Sequence, residues 1–291
     1  MSLIELTIEP RERDLGGFSV RRILPFAKRR MVGPFIFLDH MGPVQFQAGH
    51  GTDIRPHPHI GLATVSYLFS GTLLHRDSTG SVQEVIPGDV NWMTSGRGIV
   101  HSERTGEIAR QSPRIAHGLQ SWVALPKEYE EIAPEFHHHA GSSLPEFSQG
   151  NVKFKLICGR SFGYEAPVKI YSPIFYLEAT MPTGSGFSLP PEYRERALYL
   201  VSGKLRIGDT IISPLTMPVF EAGGDVRIEA LEDSRLMLLG GEPFPEQRYI
   251  WWNFVSTSEE RITQAKEDWQ HGRFGTVPGD DKEFIPLPEG N

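Results

Sequence analysis

Ala63-Thr64-Val65-Ser66-Tyr67-Leu68-Phe69-Ser70-Gly71 sets large apolar side chains among small ones and stops at a glycine. Alternation of this kind, closed by a turn former, reads as a strand. Leu73-Leu74 begins a second strand, Asp77-Ser78-Thr79-Gly80 turns it, and Val82 to Ile86 returns before Pro87-Gly88-Asp89 punctuates the chain again. Strand and turn in such quick succession suit a sandwich or a small barrel. The unit also recurs. SYLFSGTLLHRD, residues 66–77, aligns with LYLVSGKLRIGD, residues 198–209, at an offset of 198 − 66 = 132. Six of the twelve positions are identical (Tyr, Leu, Ser, Gly, Leu and Asp). An offset close to half of the 291 residues points to a duplicated domain. The expected fold is all-β, with two similar domains in tandem, each a sandwich or a small barrel.

Working outward, the punctuation is uniform. Thirty glycines and 23 prolines are spread along the chain rather than massed in one tract, as many short strands require. The stretch 136–150 has a histidine run, Pro145 and Gly141-Ser142-Ser143, and is expected to be a solvated linker between domains at 1–135 and 151–291. Thr257 to Glu260 has the spacing of a capping box. Ile262, Ala265 and Trp269 then share one helical face, and Gly272 ends a short C-terminal helix. Trp251-Trp252 is expected to pack at a domain interface.

Composition excludes several classes. Hydrophobic residues are 39% and charged residues 22%, which describes a chain able to build a core. The net charge of −7 argues against direct nucleic-acid binding. Arg21, Arg22, Lys28, Arg29 and Arg30 form a local basic stretch, expected to be a solvated loop. No run approaches the ~18 apolar residues of a membrane helix, and Met1 to Glu5 does not open a signal peptide. The one cysteine, Cys158, allows no internal disulfide and fits a cytoplasmic location, as a buried, inert thiol.

The chemistry concentrates in two short pairs. His57-Pro58-His59 and His101-Ser102-Glu103 each place ligand-type residues at i and i+2, and on a strand such residues point to one face. Two pairs on neighbouring strands would set four ligands about one point. Imidazole suits iron, zinc, nickel or copper, and histidines with one carboxylate and open positions favour Fe(II). His40 and His50 lie near in sequence and are expected to be core or outlying histidines rather than ligands. His137-His138-His139 lacks a barrel to fix its geometry and is expected to be solvated.

These residues carry a family resemblance. Gly51, His57-x-His59 and Gly71 match the spacing of the first cupin motif, but Ala63 and Thr64 stand where its glutamate belongs. Gly98-Ile99-Val100-His101 matches the second motif, and Glu103 supplies a carboxylate two residues on. That exchange resembles the pirin family of bicupins. So do Pro34 to Pro43, Arg55 to Gly61 and Gly96 to Glu103, within a resemblance that is dense from Gly17 to Pro126 and returns at Gly240-Gly241-Glu242-Pro243.

The resemblance implies two cupin jelly-roll barrels and one divalent metal in the first, held by His57, His59, His101 and Glu103. Iron(II) is the leading candidate, with zinc, nickel, copper and manganese as others. In the second barrel the offset maps His57 and His59 onto Leu189 and Pro191, so no metal is expected there. The resemblance further implies a monomer with quercetin 2,3-dioxygenase activity on a flavonol or similar aromatic substrate, using dioxygen, with Glu103 as the base. Its alternative is a redox-responsive regulator that binds a protein partner, a transcription factor or a metabolic enzyme.

Overall fold

The computed structural model describes residues 3–15 and 17–289. The quoted alternation becomes strand Leu62–Ser70, and Leu73–Asp77 pairs antiparallel with Val82–Val85 across the 77–81 turn. Strand Glu195–Ser202, Gly203 and strand Leu205–Ile207 repeat this course. Gly71 and Gly203 have φ of 81° and 90°. That left-handed region is open to glycine and strained for other residues, which explains the shared residue in both halves of the repeat.

The chain divides into two compact units. One takes residues 12–21, 38–141 and 245 onward. Within it a four-stranded sheet runs in the order Asp53–His59, Ile99–Arg104, Leu73–Asp77, Val82–Val85. A second sheet begins Glu135–His139, Val90–Thr94, Leu62–Ser70, Arg114–Ala124 and continues through Phe35–Phe46.

The other unit takes residues up to 11, then 22–37 and 142–244. Its large sheet places Ile4–Ile8 beside Met217–Phe220, followed by Glu195–Ser202, Ser234–Gly241, Ile174–Met181, Val152–Ser161 and Glu146–Gln149. Its interior is apolar: Phe154, Phe175, Leu177, Phe187, Leu198 and Leu236 are all buried in one core. Leu189, the counterpart of His57, belongs to that core. Arg196, fully buried, is fixed by the carbonyls of Leu189, Pro190, Glu221 and Gly223.

Several expectations change. The stretch 136–150 is not a linker: Glu135–His139 is a strand paired with Val90–Thr94, and Glu146–Gln149 pairs with Val152–Ser161. The division falls between Gly141 and Ser142. The termini also cross the expected boundaries, since Ile4–Ile8 joins the sheet of the C-terminal half and residues from 245 join the N-terminal half. The basic stretch is not a solvated loop. Arg21 donates to the Gly42 carbonyl at 2.8 Å, Arg22 lies over the Phe37 ring, and Arg29 pairs with Glu5 and Glu195. Only Lys28 and Arg30 of that set are exposed.

Helix Glu259–Gln270 buries Ile262, Ala265 and Trp269 as expected, but its N-cap is Ser258, whose Oγ accepts from Arg261 N at 3.2 Å. Thr257 is instead engaged by the Glu130 carboxylate. Trp251 and Trp252 pack with Phe254, Trp269 and Phe274 against this helix, within one unit. Cys158 is buried, which pushes its thiol pKa up and leaves it protonated. No helix among the described residues is long and apolar enough to cross a membrane.

Candidate metal centre

Strand Ile99–Arg104 sits between Asp53–His59 and Leu73–Asp77. Its register sets His101 opposite His57 on one side and opposite Asp77 on the other. The i, i+2 rule then sends His57, His59, His101 and Glu103 to one face. The three histidines converge: one ligand atom from each lies within 4.8 Å of the others, and all three are buried. Their ring centroids are 4.4–5.0 Å apart. Among the described residues this is the one group of three or more histidine, cysteine or carboxylate side chains so placed.

Burial keeps the rings neutral. His57 has its pKa lowered from 6.5 to about 4, first by burial. Burial likewise drives His59 and His101 well below the ordinary value, each further depressed by neighbouring rings. At neutral pH every ring therefore carries one proton and one lone pair. The His57 Nδ1–H donates to the Arg55 carbonyl at 2.8 Å, which leaves Nε2 bare. The His59 Nδ1 and the His101 Nε2 are buried with no hydrogen-bond partner. Such orphans are uncommon and ask for an explanation. A divalent cation among three imidazoles satisfies them, so these residues fit a metal and could hold one.

Glu103 is buried beside the cluster but is not part of it. A register shift between His101 and Glu103, against strand Asp53–His59, puts Glu103 opposite Ile54. The Ser66 Oγ lies 2.9 Å from its Oε1 and donates to it. Burial raises the Glu103 pKa, partly offset by His75 and by the Ser66 hydrogen bond. Trp122 closes one wall, edge-on to His59 at 5.0 Å.

The other histidines lie elsewhere or act differently. His40 is buried and pairs with His117, Nε2 to Nε2 at 2.8 Å. His50 is exposed, and its carbonyl accepts from Arg114. His138 bonds Asn91 along the strand pairing rather than standing in solvent. Sequence reasoning missed His75 altogether. This residue lies 3.4 Å from His101, Nδ1 to Nδ1, and 2.8 Å from Asp77. His75-Arg76-Asp77 has the same i, i+2 spacing that singled out the other pairs, so the signal was there.

Comparisons with known proteins show the family. Models of the pirin family and of the pirin C-terminal cupin domain match residues 17–123 and 176–275. A pirin-like protein of Caulobacter vibrioides is 50% identical over 290 residues, covering 99% of this chain and all of its own. A Pseudomonas aeruginosa protein provisionally named a quercetin 2,3-dioxygenase is 39% identical over 267 residues, covering 90% of this chain and 82% of its own. A crystal structure of quercetin 2,3-dioxygenase from Acinetobacter baumannii superposes with a TM-score of 0.91 at 32% identity, covering 98% of this chain and 95% of that one.

Proposed function

The chain belongs to the pirin family of two-cupin proteins, and from that premise we propose that it is a metal-dependent dioxygenase of the quercetin 2,3-dioxygenase type. The substrate class is a flavonol or a similar aromatic enol, with dioxygen as co-substrate. The observation that carries this reading is the cluster of three buried, neutral imidazoles with two orphaned ring nitrogens. The similarity to the Acinetobacter baumannii enzyme supports it.

His57, His59, His101 and Glu103 are assigned as the ligands. Iron(II) is the first choice, because histidines with a single carboxylate and open positions suit non-haem iron. A divalent metal there supplies Lewis acidity that lowers the pKa of a coordinated hydroxyl and orients it. The residues of the chain do the remaining work. The rings stay neutral because burial opposes their protonation. The Ser66 hydroxyl holds Oε1 of Glu103 through one hydrogen bond, and Glu103 is assigned as the base that takes the substrate's hydroxyl proton. A carboxylate whose pKa is raised by burial is better matched to that proton than an exposed one. Trp122 and the surrounding strands exclude bulk water.

Dioxygen uptake with quercetin tests the proposal. Iron-loaded wild type should consume dioxygen and His57→Ala should not. Glu103→Gln, compared per bound iron, should lose about 10²–10⁴-fold in rate, the size of a missing general base. Iron-loaded wild type without uptake would overturn the assignment. The regulatory reading gains no support from the basic stretch, since three of its five cations are engaged within the protein.

A further inference from the structure

We propose that Asp77 and His75 are positioning residues that select the tautomer of His101, so that His101 presents a bare Nε2 to the metal. This inference rests on the ligand role given to His101 above.

The chain of contacts begins in a turn. Thr79 N, Thr79 Oγ1 and Ser81 N all donate to Oδ1 of Asp77, at 2.9, 2.6 and 3.2 Å. Backbone N–H groups can only donate, so Oδ1 is an acceptor three times over. Burial acts to raise the Asp77 pKa, but the hydrogen bonds from His75, Thr79 and Ser81 outweigh it and hold the carboxylate below its ordinary value. Asp77 is fully buried, and its other oxygen, Oδ2, lies 2.8 Å from Nε2 of His75. An ionised carboxylate oxygen there requires a proton on that nitrogen.

A neutral imidazole has one N–H. The unpartnered Nε2 of His101 offers no acceptor for a proton, so the proton of that ring belongs on Nδ1 and needs a bare Nδ1 on His75, as a single proton on Nε2 beside Asp77 leaves it. The group facing that nitrogen is Nδ1 of His101, 3.4 Å away, a long hydrogen bond in which His101 must be the donor. His101 then carries its proton on Nδ1, and its Nε2 is bare. That Nε2 is the buried nitrogen without a partner. The relay from the turn and the orphan in the cluster thus name the same atom.

The arrangement is held rigidly. Asp77 and His75 lie opposite His101 and Glu103 on adjacent strands. Phe136 stacks on the His75 ring at 4.3 Å and 14°, fixing its plane. His57 reaches the same end through a backbone carbonyl, whereas the donor nitrogen of His101 meets a side chain. Outer partners of this sort set ring tautomer and orientation in metal sites.

Asp77→Asn is the discriminating variant. The N–H groups of Thr79 and Ser81 still demand an acceptor, so the new amide oxygen takes the place of Oδ1 and its NH2 faces His75. A donor there forces His75 to protonate Nδ1, which in turn forces His101 to protonate Nε2. A similar carboxylate-to-amide change in a Ser-His-Asp triad leaves geometry intact and yields the wrong tautomer.

The test is 15N NMR of the histidine rings in full-length, metal-free protein near pH 7, with Zn(II) affinity measured by competition. Wild type should show the Nδ1–H tautomer at His101, and Asp77→Asn the Nε2–H tautomer with affinity lowered about 10–100-fold. His75→Gln, which can accept from His101 and donate to Asp77, should stay within a few-fold of wild type. An Nε2–H tautomer at His101 in wild type, or an unchanged tautomer in Asp77→Asn, overturns the proposal. Should Asp77→Asn fail to fold, His75→Leu removes the acceptor, and an unchanged His101 tautomer and Zn(II) affinity there overturns it equally. Wild type with the Nδ1–H tautomer but no Zn(II) uptake would uphold the relay and overturn the metal function, so the two readings fail separately.

Discussion

His40 and His57 are buried as neutral rings, with pKa values drawn from 6.5 to about 3 and about 4, burial being the first cause at each. The unfolded chain binds protons at these positions below pH 6.5 while the folded chain does not. Stability is therefore complete above pH 6.5 and falls as pH drops toward the folded values. Each such group contributes a slope of up to about 1.4 kcal/mol per pH unit. Calorimetry of metal-free protein should show Tm falling steadily from pH 6.5 to 4. A flat profile over that window would contradict the buried, neutral assignment. At this scale the sequence was most legible for His57, His59 and His101, because i, i+2 spacing alone determines a shared face. It was least legible for His75, whose role depends on cross-strand register with His101 and on a ring stacked from residue 136.

Among elements, the segment after the last strand depends on one buried ion pair. Arg248 is almost fully buried, and its Nε lies 3.2 Å from the Glu130 carboxylate, which also accepts from Ser256 and from Thr257 just before helix Glu259–Gln270. Glu130→Ala removes the buried one of two carboxylates beside Arg248, the other being Glu246 at 3.5 Å, leaves the Ser256 and Thr257 donors without their acceptor, and should cost about 1–3 kcal/mol. Urea unfolding would measure it, and a loss under 1 kcal/mol would show that the pair is dispensable. The strands flanking Gly71 could be read from alternation and turn residues. Strand Glu135–His139 could not, because proline-rich flanks and a polar run imitate a linker. What makes it a strand is its neighbour: Val90–Thr94 offers a sheet edge, and Asn91 takes the ring of His138. The helix start missed by one residue because Thr257 and Ser258 are both good caps, and only the position of Glu130 draws Thr257 away.

For the whole molecule, the duplication predicts a division of labour. The core of the C-terminal half is built from apolar side chains and should contribute stability alone. Leu198→Ala should cost about 2–5 kcal/mol while leaving the metal content per folded chain unchanged. A proportional loss of metal would contradict that separation. The repeat disclosed two barrels, but not the exchange of chain ends between them. Pairings some 200 residues apart leave no local trace in composition or periodicity, so local signals locate the mid-chain division within 136–150 but not the crossing of the end segments.

That exchange shapes how the protein is made. Ile4–Ile8 waits for Met217–Phe220, 217 − 8 = 209 residues downstream. At typical translation rates this is about 10–40 s during which a nascent chain carries an unmatched β-edge. The unit that includes residues 38–141 is finished only by residues from 245, which follow the other unit in the chain. Ribosome-bound intermediates are therefore incomplete in both units, and a gene divided at the repeat boundary would encode two fragments, each lacking a piece held by the other.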